Sequence, residues 1–196
     1  MSTFMNTQSV QPTSPARRSA RERLLAAADE LFYEHGINTV GIDRVIEHAG
    51  VAKASLYDCF GSKEELIRAY LKGRGDKRQA RLAERMAQQK TPRDKILCAF
   101  DVLGEVVAQP NYRGCAFQRA SAEAVAGGAV KNTCDELRTW IRSQFTELAR
   151  EAKVTDAELI GQQLMLLYDG ASATAYLDGN KKAPQGARAM AALLIA

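Results

Sequence analysis

The chain has 196 residues, 46% hydrophobic and 26% charged, enough apolar material for one or two compact domains and too much for a disordered tail protein. Its formal net charge is only +4, from 27 Lys and Arg against 23 Asp and Glu, so any nucleic-acid signal has to be local. The cysteines at 59, 98, 115 and 134 form no Cys-x-x-Cys pair and have no His at zinc spacing, which fits a reducing compartment and argues against a disulfide framework or a structural metal.

Residues 1 to about 16 are rich in Ser, Thr, Gln and Pro and read as an unstructured leader with no apolar signal core. Arg17, Arg18, Arg21 and Arg23 follow, and Leu24, Leu25, Ala28, Leu31 and Phe32 recur at helical offsets in a first helix that ends near Gly36. Ile42, Val45, Ile46 and Ala49 mark one face of a short second helix, which Gly50 stops. A third helix runs from about Ala52 with Leu56 and Phe60 turned inward. Ser62, with Glu65 three residues on, reads as the capping box of a fourth that continues past Arg85 to the Thr91, Pro92 break.

Ile96, Leu97, Phe100, Leu103, Val106 and Val107 stripe a fifth helix, and residues 116–126 make a short sixth. Val130, Cys134, Leu137, Ile141, Phe145 and Leu148 define a seventh. Thr155 with Glu158 caps an eighth running to about Tyr176, and a ninth follows Pro184. No stretch alternates as a half-buried strand does, so the fold is expected to be all-α, with about nine helices. No segment approaches the roughly 18 apolar residues that cross a bilayer, and a cytoplasmic protein without a membrane partner or cofactor is expected.

The second and third helices form a helix-turn-helix, two short helices about a turn at Gly50 and Val51, whose outer side fits a major groove. Val45, Ile46, Ala49, Val51, Leu56 and Phe60 fill the inside, leaving Lys53, Ala54, Ser55, Tyr57, Asp58 and Cys59 for the remaining surface. Small residues at 52, 54 and 55 permit close approach. Gly36, Thr39 to Ile42, Val45, Ile46, Ala49, Gly50, Val51, Lys53, Leu56, Tyr57, Phe60, Ser62, Lys63, Glu64, Glu65 and Leu66 together resemble the N-terminal DNA-binding domain of TetR/AcrR-type transcriptional regulators. The resemblance covers about Arg21 to Tyr70, and beyond it only length and helix count agree.

The resemblance implies a homodimeric repressor on double-stranded operator DNA, with a helix-turn-helix domain over 17–63 and a helical effector-binding and dimerisation domain over 64–196. It implies further that Tyr57 and Lys63 hold phosphates and that Lys53 and Ser55 lie at or near base edges. Phenol, ammonium and hydroxyl donors suit those roles. Gly41 and Ala52 stand where the family usually caps the second and third helices with Ser or Thr. Asp58 stands where an aromatic or His is common; it either accepts from cytosine N4 or points into solvent.

Residues 1–63 carry seven basic and seven acidic side chains, residues 64–90 eight against four, and the remainder twelve of each. The excess is a ridge of Arg74, Lys77, Arg78, Arg81 and Arg85, which reads as an ordinary solvated face. The arginines at 17, 18, 21 and 23 are the better additional DNA contact, as a flexible basic arm along phosphates or in a minor groove, or else a solubilising tail. His35 and His48 have no nucleophile motif beside them. Cys98 and Cys134 fall on apolar stripes, and Cys59 and Cys115 leave a redox-sensing regulator open as an alternative.

Met86, Phe100, Phe117, Trp140, Phe145, Met165 and Tyr168 are the material for an apolar effector cavity with few polar anchors, although each one alone reads as core. Leu164, Leu167, Ala171, Ala175, Met190 and Leu194 are the expected dimer surface. The leading expectation is therefore a repressor released from a near-palindromic operator by a hydrophobic small molecule. A helical small-molecule-binding protein or enzyme that has lost DNA binding is the competing one.

Overall fold

A computed structural model describes residues 18–196; the expected leader over 1–16 and Arg17 lie outside the described residues. Among those described, the chain folds into nine helices and no strand. They are α1 (Ala20–His35), α2 (Ile42–Ala49), α3 (Lys53–Phe60), α4 (Lys63–Ala87), α5 (Pro92–Val107), α6 (Ala116–Glu123), α7 (Ala129–Glu151), α8 (Ala157–Leu177) and α9 (Ala183–Leu194).

Helix α1 opens with a capping box that sequence reading passed over. The Ser19 hydroxyl accepts the Glu22 N–H, and the Glu22 carboxylate accepts the Ser19 N–H at 2.8 Å. Arg21 and Arg23 are consequently helical residues rather than part of an arm. Leu24, Ala28, Val40, Val45 and Leu56 are fully buried and hold α1, α2 and α3 together. Fully burying such a side chain contributes about 1.5–3 kcal/mol. Gly50 ends α2 in the left-handed region, at φ 60° and ψ 44°, and returns its N–H to the last carbonyls of that helix.

Helix α4 has 25 residues and packs against α1, α3, α5 and α7, so one element serves both ends of the molecule. Ser62 caps it by accepting the Glu65 N–H, but the second half of the expected box is absent because the Glu65 carboxylate is engaged by Arg68 at 2.8 Å. Helices α5, α7, α8 and α9 close the C-terminal part, with α7 against α8 and α9 wedged between α5 and α8. The Phe100 and Phe145 rings stack with centroids 5.8 Å apart, and Tyr168 meets both edge-on at 5.8 and 5.9 Å.

Three boundaries differ from the sequence reading. Asp156 rather than Thr155 caps α8, adopting φ 54° and accepting the Leu159 N–H; an aspartate tolerates left-handed backbone and its charge suits a helix N-terminus. Helix α6 stops at Glu123, whose carboxylate and carbonyl are both held by Asn38. Helix α9 starts before Pro184, which occupies its first turn.

The α7–α8 contact depends on Gly161. A Cβ there would stand 2.1 Å from Thr146 Oγ1 and 3.0 Å from Thr146 Cα. A glycine-to-alanine change in an open helix stabilises by about 0.5–1 kcal/mol. Gly73→Ala on α4, where a Cβ would meet nothing within 4 Å, should follow that rule. Gly161→Ala should reverse the sign and cost about 1–3 kcal/mol through overpacking, as read from denaturant midpoints of the two variants.

Candidate nucleic-acid interface and internal cavity

Helix α3 is anchored by Leu56, which is fully buried, and turns Lys53, Ala54, Tyr57 and Asp58 outward. Tyr57 is 47% exposed, a large degree of exposure for a phenol in a helix this short. Ser55 sits half-buried on the inner flank of α3, and Lys63 is half-buried at the start of α4. Partial burial pulls the Lys63 ammonium below its ordinary pKa, with the Glu123 carboxylate opposing that shift. The Lys53 ammonium reaches Asp43 Oδ1 at 3.0 Å across the turn, and this contact holds its pKa above the usual value.

Arg18 is exposed ahead of α1. Its two helical neighbours fasten the helix-turn-helix to α1 instead: Arg23 donates to the Gly50 carbonyl, and the Arg21 guanidinium stands 5.2 Å from the centroid of the Phe60 ring. Further exposed groups on this side are Thr39 before α2 and Arg44 on α2, the latter bonded to His35 at 2.8 Å. Thr39 falls within the segment that carries the family resemblance but is assigned no role there, and Arg44 lies on the polar side of α2, which spacing alone does not single out.

The basic ridge on α4 keeps Lys77 and Arg81 exposed, but most of its cations are engaged. Arg74 pairs with Asp29 at 2.6 Å and lies 3.9 Å from the Tyr33 ring centroid, which locks α4 to α1. Arg81 and Arg85 both pair with Glu105, at 2.6 and 2.9 Å, and hold its carboxyl below the usual range. Arg78 turns inward, donating to Tyr168 Oη at 3.0 Å and to Cys115 Sγ at 3.5 Å.

Two adjoining cavities, of about 360 Å³ between α4, α6, α7 and α8 and about 320 Å³ between α1, α4, α5, α6 and α8, share Arg78, Cys115, Phe117, Tyr168 and Ser172. Of the side chains expected to line such a space, Phe117, Met165 and Tyr168 do so. Phe100 and Phe145 lie behind Tyr168 as packed core, because their rings are consumed by stacking. Met86 and Trp140 border neither cavity. The lining is also more polar than expected, with Gln118, Asp135, Arg138 and Asp169 on one wall. Cys134 lies there too, its thiol pushed up to about 12, chiefly by burial.

A polar seam joins the cavity region to the first three helices. The Tyr33 hydroxyl donates to the Gly114 carbonyl and accepts the Arg113 N–H, Arg119 donates to the Tyr33 carbonyl at 2.6 Å, and the Asn38 N–H donates to Glu123 at 2.8 Å. Gly36, at φ 92°, sits so close to that carboxylate that a Cβ would be 2.7 Å from it.

The expected dimer residues divide. Leu164, Ala171 and Ala175 are 0%, 5% and 5% exposed and face the chain's own core, which removes them from any outer surface. Leu167 and Leu194 are half-buried, and Met190 is exposed. The outward large hydrophobic residues of these two helices are Leu159, Leu166, Tyr176 and Leu177 on α8, with Met190 and Leu193 on α9. Among the described residues, no helix is long and apolar enough to cross a membrane.

Residues 24–70 match the family described as bacterial regulatory proteins, tetR family. Over 55 residues the chain is 44% identical to the HTH-type transcriptional activator FasR of Mycolicibacterium smegmatis, and over 60 residues 40% identical to the HTH-type transcriptional repressor BdcR of Escherichia coli. Those stretches are 28% and 31% of this chain, and the match spans only 25% and 30% of the two relatives. The crystal structure of a TetR-family transcriptional regulator from Streptomyces coelicolor superposes with a TM-score of 0.85 at 29% identity, over 90% of this chain and 94% of that one. Its N-terminal segment, along α1 to α4, thus matches the tetR family of bacterial regulatory proteins in sequence, and nearly its whole described length shares the backbone fold of a TetR-family transcriptional regulator.

Proposed function

We propose that the chain is a dimeric transcriptional repressor that binds a near-palindromic operator through α3 and leaves it when a small molecule fills the cavities. The observation that carries this is the outward row of Lys53, Ala54, Tyr57 and Asp58 on a helix seated on buried Leu56, with Lys63 at the next helix start. Tyr57 and Lys63 are donors for phosphates, and Lys53 is the donor for a guanine edge once it exchanges Asp43 for DNA. Ala54 lets the helix approach the groove. Ser55, on the inner flank, serves better as a contact to the backbone. Arg18, continued by Arg17 outside the described residues, extends the contact along phosphates. Asp58 is placed as a discriminator, accepting from cytosine N4 and repelling a misplaced phosphate. Such a protein works in the cytoplasm, where its DNA is.

Dimerisation is assigned to the exposed apolar stripe of α8 and α9, which replaces the inward residues expected from sequence. A twofold pair presents two copies of α3, which must sit about 34–36 Å apart, or a multiple, to reach successive major grooves. Effector binding then acts by population shift: a ligand preferring the conformer with wrongly spaced α3 helices weakens operator binding by its differential affinity, typically about 1–3 kcal/mol. The polar seam through Tyr33 and Glu123 is the route by which the cavity walls and the first three helices move together. That an activator and a repressor both match this N-terminal segment leaves the direction of control to promoter geometry; repression follows where the operator overlaps the promoter.

Fluorescence anisotropy on operator fragments selected from random DNA tests this reading directly. Binding should be sequence-preferring and fall steeply with salt. Tyr57→Ala and Lys63→Ala should weaken binding to every sequence, the latter lowering the salt slope by about 1 per lysine removed. Lys53→Ala should also relax base preference, while Asp43→Asn, which frees Lys53, should tighten binding. An equal loss on specific and random DNA for Lys53→Ala, or unchanged binding for Tyr57→Ala and Lys63→Ala, would refute the roles assigned.

The dimer surface has its own test. Leu166→Glu combined with Leu193→Glu should yield a monomer in sedimentation with unchanged helical circular dichroism and greatly weakened operator binding. A variant that stays dimeric would move the interface elsewhere.

A further inference from the structure

Arg78 is a cation without an anion. Its guanidinium borders both cavities, and its only protein acceptors among the described residues are the Tyr168 hydroxyl and the Cys115 sulfur, both uncharged donors of lone pairs. Its neighbours along α4 are treated differently: Arg74 has Asp29, Arg81 and Arg85 have Glu105, and Arg68 has Glu65. No carboxylate among the described residues stands within 4.0 Å of Arg78. The nearest acidic wall is already engaged, since Asp169 takes Arg138 at 2.6 Å and Gln118 at 3.1 Å, and Asp135 takes Lys131.

A guanidinium stays charged at any physiological pH and carries five N–H donors in a planar fork. Two are used here, and three have no protein acceptor among the described residues. Charges inside proteins are paired or they destabilise the fold, because desolvation is not offset by neutral acceptors. Arg78 therefore marks a place where the partner is not part of the chain. The space beside it suits the remainder of such a partner: Phe117, Ile141 and Met165 offer an apolar wall within about 360 Å³.

We infer that the effector is an organic monoanion, a carboxylic acid with an apolar body, whose carboxylate pairs with the free side of the Arg78 guanidinium. The shape of the pair is the fork-to-carboxylate arrangement that arginine makes bidentately. One guanidinium without a carboxylate, in a space whose other charged lining residues are paired, matches one negative charge rather than the two of a phosphate monoester. This inference rests on the cavities being the effector site, and it narrows the hydrophobic small molecule expected from sequence to an amphiphile with one negative charge.

Calorimetry and thermal unfolding on the full chain without DNA test it, using octanoate and 4-phenylbutyrate against octanamide and 4-phenylbutyramide. At least one acid should bind ten times more tightly than its amide and raise the melting temperature with concentration, as a ligand of the native state does. Arg78→Met should abolish the preference for acid over amide. Its ligand-free melting temperature should match or exceed that of the unsubstituted protein, because an unpaired charge has been replaced by a similar apolar volume. Neither acid binding, equal binding of acid and amide, an undiminished preference in Arg78→Met, or a ligand-free variant melting several degrees lower would each overturn the inference. Acid binding with no affinity for DNA would leave it standing and defeat the regulatory reading, and the converse result would do the opposite.

Discussion

One helix belongs to both halves of the molecule, and everything else is arranged around that constraint. From Lys63 at its first turn to Arg78 in the cavity wall, α4 rises about 22 Å without a break. Between these ends Arg74 grips α1 through Asp29 and the face of Tyr33. A rigid rod held in this way cannot shift at the cavity without carrying the first three helices with it. The seam made by Tyr33, Arg119, Asn38 and Glu123 adds a second attachment parallel to the first. It is polar, and a polar seam can slide between alternative hydrogen-bonded positions more readily than an interdigitated apolar one.

Electrostatics on α4 explains why a basic segment need not be a DNA-binding surface. Eight basic side chains against four acidic ones over residues 64–90 suggest a free positive ridge. Folding brings Asp29 and Glu105 from other helices to pair with three of those cations, Arg81 and Arg85 sharing one carboxylate, and it turns Arg78 inward. The contacts proposed for nucleic acid are a small set on and around α3, namely Lys53, Tyr57 and Lys63, with Arg18 ahead of α1. The low net charge of the chain is compatible with that role, because a groove-binding helix needs a few correctly placed donors rather than a general excess.

The helix-turn-helix was legible because its determinants are local. Apolar residues at helical spacing, Gly50 in a conformation that suits glycine, and Ser62 before an acidic pair all act within a few residues of one another. The same holds for Thr91 and Pro92 at the start of α5. Local chemistry misled where two neighbours compete: Asp156 replaces Thr155 as a cap, and Arg68 takes the Glu65 side chain away from its box.

The cavity and the outer face of α8 were less legible for a different reason. Phe100, Phe145 and Tyr168 share one periodic pattern, yet only Tyr168 reaches open space, since the other two rings spend their faces on each other. Leu164 and Leu166 stand two residues apart on a helix apolar almost all round, and one is fully buried while the other is 66% exposed. The order of residues thus dictates which segments are helical, where they stop, and that a groove-reading pair of helices is present. Packing alone decided which apolar stripe is left outside, which arginine is left without a carboxylate, and where the empty space lies. Periodicity records that a helix has an apolar side but not which neighbour covers it, and a charge along the chain does not reveal which distant residue will answer it.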